Sequence, residues 1–392
     1  MAMDFQQSEQ QRMLVETARR VGEKYGLDYW RDLDAKKEFP HAAWQAICDA
    51  GLSAITIPER YGGSGLGMLD MAMAIEALCA AGGGSTLSQL FMCNPIFGGV
   101  TLTRFARDEA KAELLPGLAS GKVMFAMALT EPDAGSNSLA IKTFARRDGE
   151  GWRLNGQKIW ITAVPQATKL LVVARTKKPE EATSKTDGVS LFMIDGAREG
   201  LEHHAIDKLG TNTLPSSSIF FSDVRVEADE LVGALHGGFR ELLDVLNTER
   251  IVTTAGLVGT AELAIRLAVR YAGERKIFRN QPIGAYQGLQ FPLSEAHIQL
   301  ECARLMNYKA ASLYDSGQPY GSEANMAKWM AGHAAGLATD RAIQTLGGMG
   351  YAKESHVERL WRDARLFRIA PISEEMVLNY VAQHDLHMPR SY

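Results

Sequence analysis

The hydrophobic period changes twice along the chain. As far as about residue 120, apolar positions recur every three or four residues, which predicts helices. Leu14, Ala18, Val21 and Tyr25 share one helical face behind a Ser8–Gln11 capping box. Phe39-Pro40 interrupts the pattern, and a short helix runs from about His41 to Ala50 with Gly51 closing it. Residues 55–63 read as a turn-rich connector. Residues 68–81 read as a buried helix broken by Gly82-Gly83-Gly84-Ser85. From about Val123 to Val226 the period falls to two. Residues 123–129, 170–174, 189–194 and 218–226 read as strands, and Asp148-Gly149 and Asn155-Gly156 as hairpin turns. Residues 177–187 form a charged surface loop. From Gly237 the pattern is helical again, with segments at about 239–275, 293–316, 323–346, 354–367 and 373–384, and Pro292 marking the start of its helix.

Helices, a β block and a helix bundle in that order predict a segregated α+β fold. The expected domains are an N-terminal helical domain over 1–122, a central β domain over 123–235 and a C-terminal helical bundle over 236–392. The β block is a small barrel or a pair of sheets, taken here as an antiparallel β-barrel domain.

Composition adjusts this picture little. The 392 residues are 46% apolar, enough for a sizeable core, and carry a net charge of −4. The C-terminal part has 17 Lys and Arg against 16 Asp and Glu from 236 on, which speaks against nucleic acid as a partner. The four cysteines have no C-x-x-C spacing, so neither a zinc site nor a disulfide framework is expected, and a reducing cytoplasm fits best. The first twelve residues lack an apolar signal segment, and no run of about 18 apolar residues suggests membrane insertion.

The chemistry starts at Leu129-Thr130-Glu131-Pro132-Asp133-Ala134-Gly135-Ser136-Asn137. A buried strand ends here in a tight polar loop of small residues, which can bring backbone donors close to a ligand. An ordinary surface turn has the same composition. Five further stretches follow in order: Gln157-Lys158-Ile159-Trp160-Ile161-Thr162; Glu249-Arg250; Arg275 with Phe278; Gln344-Thr345-Leu346-Gly347-Gly348; and Trp361-Arg362-Asp363-Ala364-Arg365. Together they resemble the acyl-CoA dehydrogenase family over nearly the whole chain.

That resemblance implies FAD bound between the β domain and the bundle. Leu129, Thr130 and Ser136 match the loop that contacts the flavin, with Ser136 also touching substrate. Asp133 stands where Gly is usual and Asn137 where Asp is common. Trp160 and Thr162 match a W-I-T segment beside the flavin. Arg275 matches an Arg that reaches the FAD pyrophosphate of a neighbouring subunit, a role suited to a guanidinium. Phe278 and Gln287 follow it, although Arg279-Asn280-Gln281 lengthens the segment by one residue before Gln287. Gln344, Gly347 and Gly348 match the segment receiving the adenosine end from the partner subunit, and Ser373 and Glu375 fall among the cofactor contacts near the C-terminus. A homo-oligomer, tetramer or dimer, follows from such sharing.

The implied reaction passes an α-proton from an acyl-CoA thioester to a carboxylate and a β-hydride to flavin N5, with electrons leaving to electron-transfer flavoprotein. Most members carry the base shortly after R-D-A. Alignment from Arg362-Asp363-Ala364 puts Pro371 there, which cannot act as a base and has no N–H for the thioester carbonyl. Isovaleryl and long-chain members carry it instead on the long helix just before an Arg, where this chain has Glu249-Arg250. Glu249 is therefore the expected base, Arg250 a substrate contact, and Glu374 and Glu375 the rivals. A flavin oxidase or two-component monooxygenase is the alternative reading, and a nucleic-acid-protecting relative a third.

Overall fold

The computed structural model describes residues 6–390, so the outermost ends of the expected domains lie outside the described residues. Seven helices lead: α1 (Glu9–Lys24), α2 (Leu27–Lys36), α3 (His41–Asp49), α4 (Met68–Leu78), α5 (Ser85–Phe91), α6 (Thr101–Phe105) and α7 (Asp108–Ala119). The Ser8 hydroxyl accepts from the Gln11 N–H while the Gln11 side chain accepts from the Ser8 N–H, completing the expected capping box. Wide π-type turns at Cys79–Gly83 and Met92–Val100 join α4 to α5 and α5 to α6.

Eight strands make the central sheet: β1 (Phe125–Ala128), β2 (Phe144–Asp148), β3 (Gly151–Thr162), β4 (Lys169–Arg175), β5 (Val189–Asp195), β6 (Leu201–Ile206), β7 (Ser216–Val226) and β8 (Leu231–Val232). The order is β6-β7-β3-β2-β4-β5-β8, with β1 pairing β4 in parallel. The sheet is open. The expected barrel is therefore wrong, and so is a wholly antiparallel block, because β2 also meets β4 in parallel. Alternation reports that a strand has one buried face, but does not report its partner or whether the two edge strands meet. Here one edge, β6, is mostly exposed, and the other, β8, is two residues long.

Asn155-Gly156 is not a hairpin turn either. It lies inside β3 at a register shift against β7, with Gly156 at φ 151°. A Cβ there would stand 2.5 Å from Thr143 Oγ1, so this is a bulge where backbones approach closely. The Asp148-Gly149 turn does join β2 to β3.

The bundle comprises α8 (Gly238–Glu274), α9 (Gln287–Asp315), α10 (Gly321–Leu346), α11 (Val357–Leu366) and α12 (Glu374–His384), with a hairpin of β9 (Lys276–Ile277) and β10 (Gln281–Pro282) between α8 and α9. Pro292 sits inside α9 rather than at its start. It removes only the bond to Gly288, which is exposed and can be satisfied by water. α8 is long and apolar enough to cross a bilayer, yet 83% of its most apolar stretch is buried in the fold. Small residues fill its contacts with α9 and α10, among them Ala261, Ala303, Ala331, Ala335 and Ala338.

Asp363 on α11 locks the three parts together. It accepts from the Thr211 N–H of the β6–β7 loop at 2.5 Å and from Thr86 Oγ1 of α5 at 2.8 Å. Arg359, one turn earlier, donates to the carbonyls of Gly82 and Gly83, and Arg362 pairs with Asp34 of α2 at 2.6 Å.

Candidate active site

The loop after β1 is built on a buried ion pair. Lys158 on β3 is fully buried, and its Nζ donates to Glu131 Oε1 and to the Leu129 carbonyl, both at 2.8 Å. Glu131 Oε1 also accepts from the Thr143 N–H at 3.0 Å, and its Oε2 accepts from the Lys142 N–H at 2.6 Å. Burial alone would raise the Glu131 carboxyl; Lys158 and these donors outweigh it and hold the group below its ordinary value. Burial pulls Lys158 down to about 8 against the attraction of Glu131. The pair stays ionic at neutral pH and pins both ends of the loop. Sequence reasoning did not single out either residue. A lysine at an inward position of an alternating strand was the available signal, since a buried lysine needs a partner.

The pinned loop brings several expected residues together. The Ile159 N–H donates to the Thr130 carbonyl at 2.9 Å, which brings Thr130 against the segment of β3 that carries Trp160 and Thr162. Leu129 is buried, Thr130 and Thr162 are half-buried, and Ser136 lies exposed beyond the Glu131–Ala134 bridge. Trp160 is 54% exposed with φ 63°, in a second irregular stretch of β3. It is therefore not a core residue. These residues fit an isoalloxazine: an exposed indole, the accessible hydroxyls of Thr130, Ser136 and Thr162, and no side chain crowding Gly135, where a Cβ would meet nothing within 4 Å.

Glu249 lies on α8, 3% exposed. Burial pushes its carboxyl up to about 8, against the pull of Arg250 and Lys328. Arg250 is half-buried, is bonded to Asn247, and is depressed by burial despite Glu249. The turn after α11 packs across from this region, with Lys328 of α10 donating to the Ile372 carbonyl. Ser373 caps α12 by accepting from the Met376 N–H. Glu374 is engaged by Arg368, with Nη2 to Oε2 at 2.8 Å, and by His333 at 3.3 Å, whereas Glu375 is exposed. Neither rival offers a buried, uncommitted carboxylate.

The remaining expected residues lie at the other end of the bundle. Arg275 caps α8, Phe278 is 80% exposed at the tip of the β9–β10 hairpin, and Gln287 opens α9, exposed. Gln344, Gly347 and Gly348 are exposed at the end of α10, where Gly347 takes φ 59°. One apolar cluster holding Leu267, Leu293 and Leu346 joins these helix ends. Leu129 instead packs in a cluster with Phe239 and Leu242, near the start of α8. At 1.5 Å per residue, Arg275 stands about 39 Å along α8 from Glu249. A single chain therefore separates the flavin-loop residues and the base from the residues expected to hold the far end of the dinucleotide.

Three family models match the chain: acyl-CoA dehydrogenase N-terminal domain over residues 8–122, middle domain over 126–224 and C-terminal domain over 236–385. Acyl-CoA dehydrogenase FadE12 of Mycobacterium tuberculosis (strain ATCC 25618 / H37Rv) is 40% identical over 390 residues, covering 99% of both chains. The mitochondrial short-chain specific acyl-CoA dehydrogenase of Bos taurus is 35% identical over 98% of this chain and 92% of its own. A solved glutaryl-coenzyme A dehydrogenase in complex with glutaryl-CoA superposes with a TM-score of 0.94 at 30% identity, covering 99% of this chain and 98% of the other.

Proposed function

The chain belongs to the acyl-CoA dehydrogenase family, and from that membership we propose that it oxidises an acyl-CoA thioester with Glu249 as the base. It is an FAD-dependent oxidoreductase. Bound FAD supplies the acceptor for the hydride leaving the β-carbon. Leu129, Thr130, Ser136, Trp160 and Thr162 orient the flavin, on the strength of the loop geometry around Lys158. Donors aimed at the ring stabilise the charge that develops there.

The observation that carries the assignment of Glu249 is its burial next to Arg250, together with the proline at position 371. A carboxyl raised toward neutral pH is a better proton acceptor when ionised than an exposed one. Because Pro371 has no N–H, we assign the Ile372 N–H as the backbone donor nearest in sequence for the thioester carbonyl.

The separation of about 39 Å along α8 supports a shared cofactor site. In this reading Arg275, Phe278, Gln287, Gln344, Gly347 and Gly348 serve the FAD of a second copy, so the working form is a homo-oligomer, a dimer or tetramer. Ser373 and Glu375 complete the contacts of the chain's own flavin. Electron-transfer flavoprotein is the proposed electron acceptor. A reducing cytoplasmic setting suits four free cysteines, three of them buried.

Anaerobic titration with a panel of acyl-CoA thioesters tests the reading: the yellow flavin bleaches with the right chain. Glu249→Gln is expected to keep its FAD and lose the bleaching. A variant that bleaches at near wild-type rate removes Glu249 as the base.

A further inference from the structure

Lys328 is fully buried on α10, and the mechanism above makes no use of it. Its surroundings follow from the helix face it occupies. Gly321, Lys328 and Gly332 lie at i, i+7 and i+11, on one side of α10. At one end of this face, a Cβ on Gly321 would stand 3.5 Å from Asn247 Nδ2, two residues before Glu249. At the other end, a Cβ on Gly332 would stand 3.7 Å from Glu374 Oε1. Lys328 lies between the two, and its Nζ donates to the carbonyl of Ile372, the residue after Pro371.

We propose that Lys328 is a positioning residue for the dehydrogenation: its ammonium fixes the Pro371 turn through Ile372 and supplies a cross-helix positive charge that favours the carboxylate form of Glu249. The inference rests on Glu249 being the base. Glu249 faces Arg250 from α8, Lys328 from α10 and the Cys93 thiol from the turn before α6. Lys328 in turn faces Glu374 and Glu375 from α12 and Arg250 and Glu249 from α8. Of these, Arg250 is bonded to Asn247, and Glu374 to Arg368 and His333. Burial drives Lys328 down to about 8 and Glu249 up to about 8, so loss of either charge displaces the other. A lysine placed here performs two tasks that a backbone amide at position 371 cannot: it holds the turn and it biases the base.

The test compares Lys328→Gln, Lys328→Met and Lys328→Arg holoenzymes in the pH dependence of anaerobic flavin bleaching. A second readout follows the Glu249 carboxyl C=O stretch by difference infrared spectroscopy, assigned by its absence in Glu249→Gln. Lys328→Gln keeps a donor for Ile372 and loses the charge. Its midpoint is expected to move up by about one pH unit, with bleaching about ten-fold slower at pH 7 and recovering at high pH. Lys328→Met is expected to shift likewise and to lose rate at all pH values, because the turn is released. Lys328→Arg is expected to hold the wild-type midpoint. An unmoved midpoint in either neutral variant, by rate and by infrared, overturns the inference. If the neutral variants do not fold, a midpoint displaced by a full unit in folded Lys328→Arg overturns it too. Persistent bleaching in Glu249→Gln sinks the assignment of the base instead, so the two failures are distinguishable.

Discussion

Burial moves the Glu249 carboxyl from an ordinary 4.5 to about 8, and this fixes the sign of two pH effects. The base form grows as pH rises, so the rate of flavin bleaching is expected to climb roughly ten-fold per unit below the midpoint and level off above it. Stability runs the other way. A carboxyl raised in the folded state contributes stability that is fully present below about 4.5 and is lost as pH rises through about 8. Thermal melts between those limits should show a decline that Glu249→Gln abolishes. Lys158 and Glu131 are a different case, because each buried charge is balanced by the other. Lys158→Met strands the Glu131 carboxylate among backbone donors and is expected to cost about 3–5 kcal/mol in denaturant melts. Removing both charges in Glu131→Gln/Lys158→Met should recover more than half of that loss. A double-variant loss equal to the sum of the Lys158→Met and Glu131→Gln losses would show that the pair is not coupled.

Among the elements, β3 concentrates the irregularities. It carries a bulge at Gly156, a buried lysine at 158 and a positive φ at Trp160 within twelve residues. The bulge sets Gly156 against Thr143, whose N–H holds Glu131, and the second register shift, between Lys158 and Ile161, lets Lys158 point inward under the Thr130 loop while Trp160 stands out. Gly156→Ala places a Cβ 2.5 Å from Thr143 Oγ1 at a φ of 151°, so strain and overlap act together. The expected loss is about 2–4 kcal/mol. FAD should dissociate at lower denaturant than global unfolding requires, as followed by flavin fluorescence. Coincident transitions at the wild-type midpoint would show that the bulge does not position the loop.

The whole molecule is organised by two distances. Asp363 draws α5, the β6–β7 loop and α11 into one contact, which ties the three parts together. The length of α8 does the opposite, holding Arg275 and Phe278 far from Glu249 in the same chain. Phe278 is 80% exposed on the hairpin tip, the side chain that the proposed second copy would cover. Phe278→Asp is therefore expected to lower the oligomeric mass in sedimentation and to weaken FAD retention at least ten-fold, while leaving the melting of the apoprotein within about 0.5 kcal/mol of wild type. Unchanged mass and unchanged FAD retention would remove the shared cofactor site.

The linear sequence determined what depends on local periodicity and on residue type. The helix-to-strand-to-helix order, the Ser8 cap and the long α8 were legible, because a capping hydroxyl or an apolar face is written within a few residues. The residue types at Thr130, Trp160 and Glu249, and the absence of a carboxylate at Pro371, were legible for the same reason. Tertiary structure decided whatever depends on pairing between distant segments. It left the sheet open, turned Asn155-Gly156 from a hairpin into a bulge and absorbed Pro292 into α9. It also placed Lys158 under the loop and Lys328 between Glu249 and Ile372. Alternation names a buried face without naming its partner, and a charged residue gains its role only from what surrounds it once water is excluded.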